Sequence, residues 1–232
     1  MVASRHTTGA ESAPDDPGVA IAASIRSLGR AARVFARFAS PRVLAAGLAT
    51  AVVARLATAV AGLAPVSVGD GVALAAVAVL VPFVEWFVHR VVLHARPRPI
   101  GGVIVDPGIG HREHHDHPDT VSWVLLRGFD AALFTAVNGA VATAVVGLPL
   151  WLIGAPTLGP VLTGVVAATA ALAHYEWSHF LFHTAYRPRT ARYRRLKANH
   201  LRHHWRDERA WLGVTSNLAD RLLGTLPRAT SR

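Results

Sequence analysis

Four stretches of this chain, 43–64, 71–93, 129–153 and 157–177, are apolar almost without interruption. Each is close to the ~20 residues that an α-helix needs to cross the hydrocarbon core of a bilayer. A helix satisfies its own backbone hydrogen bonds, which lipid cannot do for it. The chain therefore reads as an all-α integral membrane protein with four transmembrane helices. Only 65–70 and 154–156 separate the members of each pair, so the helices form two hairpins. With 52% hydrophobic and 16% charged residues in a chain of 232, the composition is too apolar for an ordinary soluble domain.

Charge sets the expected orientation. Neither turn contains Lys or Arg, whereas all 24 basic residues except Arg55 lie before the first span, between Arg90 and Arg127, or after Tyr186. By the positive-inside rule both termini and the central segment face the cytoplasm. A net charge of +10 is then explained by orientation and anionic headgroups, and no nucleic-acid partner is needed. Residues 1–24, rich in Ala, Ser, Asp and Pro, lack the basic start and compact apolar core of a signal peptide and read as a disordered tail. In 25–42, Arg26, Arg30, Arg33, Arg37 and Arg42 recur between Leu28, Val34, Phe35 and Phe38. That is the pattern of a basic amphipathic helix on a membrane surface, or of a solvated basic leader. The remainder, 43–232, forms one membrane-embedded domain. Arg55 falls near the middle of the first stretch, where a charge is costly unless it is paired or the helix boundary lies elsewhere.

Ten of the thirteen histidines fall into four clusters at the cytoplasmic ends of these stretches or just beyond them. They are His89 and His94; His111, His114 and His115; His179 and His183; and His200, His203 and His204. On a helix, His-x-x-His-His makes one stripe in which two adjacent rings can serve neighbouring ions. His89 and His94 are five apart, about 140° around a regular helix, so one contact there is expected beyond the helix end. The chain has no cysteine, which removes thiolate ligands, iron-sulfur clusters and disulfides and leaves nitrogen and oxygen donors. Ten imidazoles exceed the coordination shell of one transition ion, whereas two ions sharing them keep a position free for oxygen or water. The pattern predicts a binuclear metal site. Glu85, Glu113, Asp116, Glu176 and Asp207 lie next to these histidines or three to four residues away, where a carboxylate can accept the second ring N–H. The alternative for each is a solvated or salt-bridged acid. His174 is either a group beside the site or a hydrogen-bonded histidine at the membrane boundary, and His117 and His6 fall outside the spacings.

Taken in order, these boxes resemble the fatty acid hydroxylase superfamily, the membrane di-iron oxygenases that include sterol desaturases and, more distantly, carotenoid hydroxylases. The likeness runs from 85 to 226. It covers Glu85-Trp86 with His89-Arg90, the run from His111 to Pro118, Tyr175-Glu176-Trp177 with His179, and Tyr193-Arg194-Arg195-Leu196 with His200. It closes on Gly213-Val214-Thr215-Ser216-Asn217 with Asp220, Gly224 and Thr225. The resemblance implies a cytosolic helical cap on the four-helix stem and two non-haem iron ions held by the ten histidines. It also implies O2-dependent attack on an unactivated C–H bond of a lipid, with hydroxylation of a fatty acyl chain the leading reaction. Desaturation, or action on a sterol or carotenoid-like isoprenoid, is the alternative within the superfamily.

The lipid is expected to arrive laterally from the bilayer. Trp86, Phe87, Trp177, Phe180 and Phe182 are placed to line its path, or to pack as ordinary helix and belt aromatics. Electrons are expected from a separate ferredoxin or cytochrome b5-like protein with its reductase, docking on the arginine-rich segment from Arg187 to Arg209. Two other classes stay open, a histidine-rich metal transporter and a haem-binding protein. The first should place ionisable groups mid-membrane on several helices, and the second should face two histidines within the bundle, which ten clustered rings fit poorly. Few lysines beside many arginines and alanines point to a GC-rich bacterial genome, and so to the inner (plasma) membrane. The oligomeric state is left open.

Overall fold

A computed structural model describes residues 17–227. Two short helices, α1 (Pro17–Ser24) and α2 (Leu28–Phe35), lead into α3 (Ala39–Val60). Helix α4 (Val68–Phe87) continues as a π-helical turn, Val88–Leu93. An antiparallel pair of strands, β1 (Arg98–Ile100) and β2 (Val103–Val105), is followed by α5 (Ile109–Asp116) and α6 (Val121–Val124). Helices α7 (Gly128–Leu152) and α8 (Leu158–Phe182) complete the apolar set, and α9 (Ala191–Trp205) and α10 (Leu218–Leu222) close the chain. Among the described residues four helical segments are long and apolar enough to cross a membrane, as the four stretches predict.

Their boundaries differ from the apolar stretches for local reasons. Helix α3 stops at Val60 because Gly62, at φ 72°, turns the chain left-handed. The Gly62 and Leu63 amides then reach back to the carbonyls of Ala59 and Thr58, which a helix end would otherwise leave bare. Gly154, at φ 68°, ends α7 in the same way on Trp151 and Leu150. Helix α8 instead runs past Trp177 to Phe182, so that His179 sits inside the helix and His183 caps it.

Helix α8 packs against α3, α4 and α7. Water-driven burial cannot hold helices together in lipid, so close approach of small residues does that work. Gly47, Gly147 and Gly164 face Thr135, Val161 and Val146, where an added Cβ would lie 3.1, 3.1 and 2.9 Å from those side chains. Outward residues such as Val53, Leu133 and Trp151 stay exposed, as lipid-facing positions do. The larger apolar core lies at the histidine end, where Val121, Val124, Leu125, Phe180, Leu181, Phe182, Leu196 and Val214 pack together.

That core explains where the N-terminal reading departs from the structure. Residues 1–16, with Arg5 and His6, lie outside the described residues. Where a disordered tail is expected up to 24, Pro17–Ser24 is helical, and 25–42 is divided between α2 and the start of α3 rather than forming one surface helix. The cause is tertiary. Ala22, Ile25 and Ala31 are buried in the core, and Phe35 meets Trp177 edge-on at 5.1 Å and Phe180 at 5.3 Å. Ser27 caps α2 by accepting the Arg30 N–H. The five arginines of this leader remain exposed.

Arg55 is paired. Its guanidinium donates to Asp70 Oδ1 at 2.8 and 3.1 Å, to Thr163 Oγ1 at 2.9 Å and to the Ala64 carbonyl at 2.9 Å. Asp70 caps the start of α4 through Ser67, so this network ties the α3–α4 turn to α8 at the end of the bundle away from the histidines. Removing one partner of a buried pair strands the other charge, at a cost of about 3 kcal/mol or more. Arg55→Met is therefore expected to lower the midpoint of thermal unfolding in detergent sharply. Arg55→Met combined with Asp70→Asn should recover part of the loss, and no recovery would show that packing rather than charge holds the turn.

Candidate metal centre

All ten clustered histidines come together at one end of the bundle, in two groups of five. His89, His94, His111, His115 and His203 form one, and His114, His179, His183, His200 and His204 the other. Within each group the ligand atoms lie within 4.8 Å of one another. Seven of the rings are buried and three, His94, His115 and His204, are half-buried.

Local structure determines how each ring arrives. In the π-helical turn the His94 N–H bonds to the His89 carbonyl, an i→i+5 bond that brings residues five apart onto one face. The two rings stack 5.2 Å apart at 27°, so the 140° offset of a regular helix does not apply. His94, one residue past the turn, closes back beside His89. On α5 and α9 each His-x-x-His-His stripe divides. Residues i and i+4 (His111 and His115, His200 and His204) enter one group, while i+3 (His114, His203) crosses to the other. The groups are adjacent, with the His115 and His204 rings stacked at 4.2 Å.

The donor atoms fit metal ions. In the first group Nε2–Nε2 separations are 3.1 Å for His89–His111, 3.2 Å for His111–His94, 3.2 Å for His94–His203, 3.2 Å for His203–His115 and 3.1 Å for His115–His111. In the second they are 3.0 Å for His179–His114, 2.7 Å for His183–His200 and 3.1 Å for His204–His200. Metal–imidazole bonds of ~2.1 Å at right angles would separate neighbouring nitrogens by ~3.0 Å. Tautomers sharpen the point. His89 Nδ1 lies 2.5 Å from the Leu212 carbonyl and His203 Nδ1 2.9 Å from the Ala210 carbonyl, and only an N–H can bond there. His179 and His183 are held likewise by the Val124 and Pro118 carbonyls. The Nε2 atoms of all four then present bare lone pairs to the cluster, an arrangement that a cation between them makes favourable.

Burial keeps the rings outside the spans neutral. It pushes His94 down to about 4, with Arg90 adding to the effect, His115 to about 3 and His203 to about 2. Desolvation and then neighbouring rings hold His111, His114, His183, His200 and His204 well below the usual imidazole value. Because these folded values lie below the unfolded 6.5, the unfolded chain takes up protons first as the pH falls. Stability is thus fully present above about pH 6.5 and is lost from there down towards pH 4 and below. Metal-free protein in detergent is expected to melt at steadily lower temperature over that interval, and a flat profile would contradict the burial.

The carboxylates expected around the rings are placed otherwise. Glu85 accepts the amides of Val214 and Thr215 and the Thr215 hydroxyl, the last two at 2.8 and 2.5 Å, and so pins the closing loop to α4. Glu176 is buried and accepts the Ser40 hydroxyl at 2.6 Å, tying α8 to α3. Asp207 takes the Arg209 amide, and neither Glu113 nor Asp116 bonds to any of the ten rings. The orienting groups are backbone carbonyls, for which a sequence carries no side-chain signal. One carboxylate absent from the predicted set stands near: Glu208 places Oε1 3.6 Å from His115 Nδ1 and Oε2 4.0 Å from His94 Nδ1. It lies four residues after His204, an interval that meets the same criterion. His174 is exposed on α8 and bonds to the Tyr193 hydroxyl at 2.6 Å, away from both groups, and His117 stacks near Trp123.

Of the aromatics, Phe180 and Phe182 are core residues, Trp177 packs on the leader, and Trp86 donates to Thr225 Oγ1 at 2.8 Å. Only Phe87 faces outward from the bundle in this set, at 53% exposure.

Four apolar helices with a double histidine nest at one end define a mostly helical membrane protein with a paired imidazole centre. Residues 74–225 match the fatty acid hydroxylase family, and the chain belongs to it. It is 30% identical over 149 residues to the dihydroceramide fatty acyl 2-hydroxylase FAH1 of Arabidopsis thaliana, covering 62% of this chain and 56% of that protein. To FAH2 of the same plant it is 27% identical over 147 residues, covering 62% and 55%. The chain thus spans about half the length of the curated relatives it matches. No solved structure gives a significant match.

Proposed function

We propose that the protein is a di-iron oxygenase that hydroxylates a fatty acyl chain of a membrane lipid, with one iron in each five-histidine group. The observation that carries this reading is the convergence of ten Nε2 atoms, from the π-helical turn after α4 and from α5, α8 and α9, into two adjacent sets in a member of a hydroxylase family. Two irons held there would supply activation of O2 for attack on an unactivated C–H bond, chemistry that side chains do not provide. All-imidazole ligation suits that task because neutral donors leave the ionic charge uncompensated and tolerate both oxidation states. The protein's part is to fix the rings through the Leu212, Ala210, Val124 and Pro118 carbonyls and to keep bulk water from the seven buried ones.

The named activity of the plant relatives points to an acyl chain in an amide-linked lipid, hydroxylated at carbon 2. Desaturation, or a sterol or isoprenoid substrate, would use the same centre. Crowding of five rings about one point leaves no flat slot for a haem, which weighs against that rival. For the orientation we take the histidine end as cytoplasmic in a bacterial inner membrane, on the distribution of arginines. A separate ferredoxin or cytochrome b5-like donor would meet the arginine face of α9 and α10, where Arg192, Arg195 and Arg221 line a recess of about 330 Å³.

Lipid profiling of cells with and without the protein tests the reaction. Oxygenated acyl species are expected to accumulate with the wild type and to vanish with His203→Ala at equal protein level. Unsaturated products instead would assign the desaturase alternative, and an unchanged profile would remove support for both.

A further inference from the structure

We propose that the β1–β2 hairpin is a membrane-inserting tip that seats the histidine end of the protein in the headgroup region of an anionic bilayer. Every residue of both strands is exposed, and the two faces are both apolar apart from Arg98. The register pairs Arg98 with Val105, Pro99 with Ile104 and Ile100 with Val103, so Ile100, Val103 and Val105 share one face and Ile104 projects from the other. Ile100, Val103 and Ile104 are each more than 60% exposed. A two-stranded hairpin with no covering layer is marginal in water, and bulky β-branched residues around a Gly101-Gly102 turn are a poor solvent surface.

Position and charge commit this tip to lipid. Four residues, 94–97, separate the π-helical turn from β1, and the end of that span presents Phe87 and Val91 outward. The apolar hairpin thus follows within a few residues on the exposed apolar end of a candidate span. Arg90, Arg96 and Arg98 are exposed around its root and make no ion pair among the described residues, as headgroup phosphates require. The root itself is clamped. Arg112 donates to the Ala95 carbonyl at 2.9 Å and pairs with Asp106, and Gly108 lies so close to the Leu93 and Ala95 carbonyls that a Cβ would stand 2.5 and 2.8 Å from them. A tip held at its base and bare on both faces is shaped to insert as a unit, beside the elements that carry His94 and His111. This inference rests on the four-span reading and is independent of which metal the histidines hold.

The absence of native cysteine makes the test direct. Ile104→Cys and, on the lipid face of α3, Val53→Cys are labelled with an environment-sensitive fluorophore. Each is reconstituted in phosphatidylcholine–phosphatidylglycerol vesicles whose acyl chains carry bromine near the headgroup. The label at 104 is expected to emit at shorter wavelength than free dye, to resist iodide, and to be quenched by bromolipid at least about half as strongly as the label at 53, for insertion by ~5–10 Å. Retained iodide quenching with no bromolipid quenching would overturn the proposal by placing the tip in water. Protection from both quenchers would overturn it by placing the tip against protein. Loss of bromolipid quenching at 53 as well would instead bring down the span assignment on which it rests.

Discussion

The double variant His115→Ala/His203→Ala is expected to retain one of two bound metal ions after mild chelation, whereas His203→Ala/His204→Ala should hold both ions but release each more easily. His115 and His203 are 88 residues apart in sequence, yet their Nε2 atoms lie 3.2 Å apart in one group. Removing both leaves three imidazoles there and five in the neighbouring group. His203 and His204 are adjacent in sequence but belong to different groups, so removing both leaves four in each. Loss of a direct ligand should weaken each ion by more than the 10–100-fold typical of changes to outer hydrogen-bond partners. Hydroxylation is expected to fall to background in both variants. Metal analysis with stepwise chelator competition reads the difference, and identical release curves would refute the interleaved assignment.

Asp220→Ala is expected to be the most damaging change outside the histidines. Asp220 is fully buried and accepts three bonds, from the amides of Leu212 and Gly213 at 2.9 and 2.8 Å and from the Thr225 hydroxyl at 2.6 Å. Each stranded donor costs roughly 1–3 kcal/mol, so a total of about 3–6 kcal/mol follows, short of strict additivity. The bonds hold a strap in which Trp211 adopts φ 54°, unusual for a bulky residue, with its amide on the Thr225 carbonyl at 2.9 Å. Gly213 is packed so closely that a Cβ would meet the Ser216 carbonyl oxygen at 1.9 Å. The strap ends in the two carbonyls, of Ala210 and Leu212, that orient His203 and His89. Asp220→Ala should therefore weaken the ion of the His89 group by about 10–100-fold. The ion held by His114 and its neighbours should be spared, because His179 and His183 are oriented from Val124 and Pro118. Thermal unfolding and chelator competition check both parts, and equal weakening of the two ions would separate Asp220 from the ring-orienting role.

Much of this protein is legible from residue order alone. Length and apolarity locate four spans because lipid demands about 20 apolar residues per helical crossing, and nothing local competes with that demand. Ring spacing identifies all ten clustered histidines because i, i+3 and i+4 share a helix face. The partner of Arg55 is less visible: Asp70 lies fifteen residues on, across a turn whose direction a single glycine sets. The buried leader is hidden for the same reason, since Ile25 and Ala31 are ordinary apolar residues until Val121, Val124 and Phe180 meet them.

Residue order alone carries the apolar character of the four long helices and the imidazole content of the site, because hydropathy and imidazole are properties of single residues and short intervals. Packing sets the rest: which ring joins which group, the π-helical turn that folds His94 back beside His89, and the backbone carbonyls that orient four of the rings in place of acids. Those outcomes depend on distances between segments far apart in the chain. A carbonyl is the same at every residue, so which one accepts a ring N–H is set by packing alone.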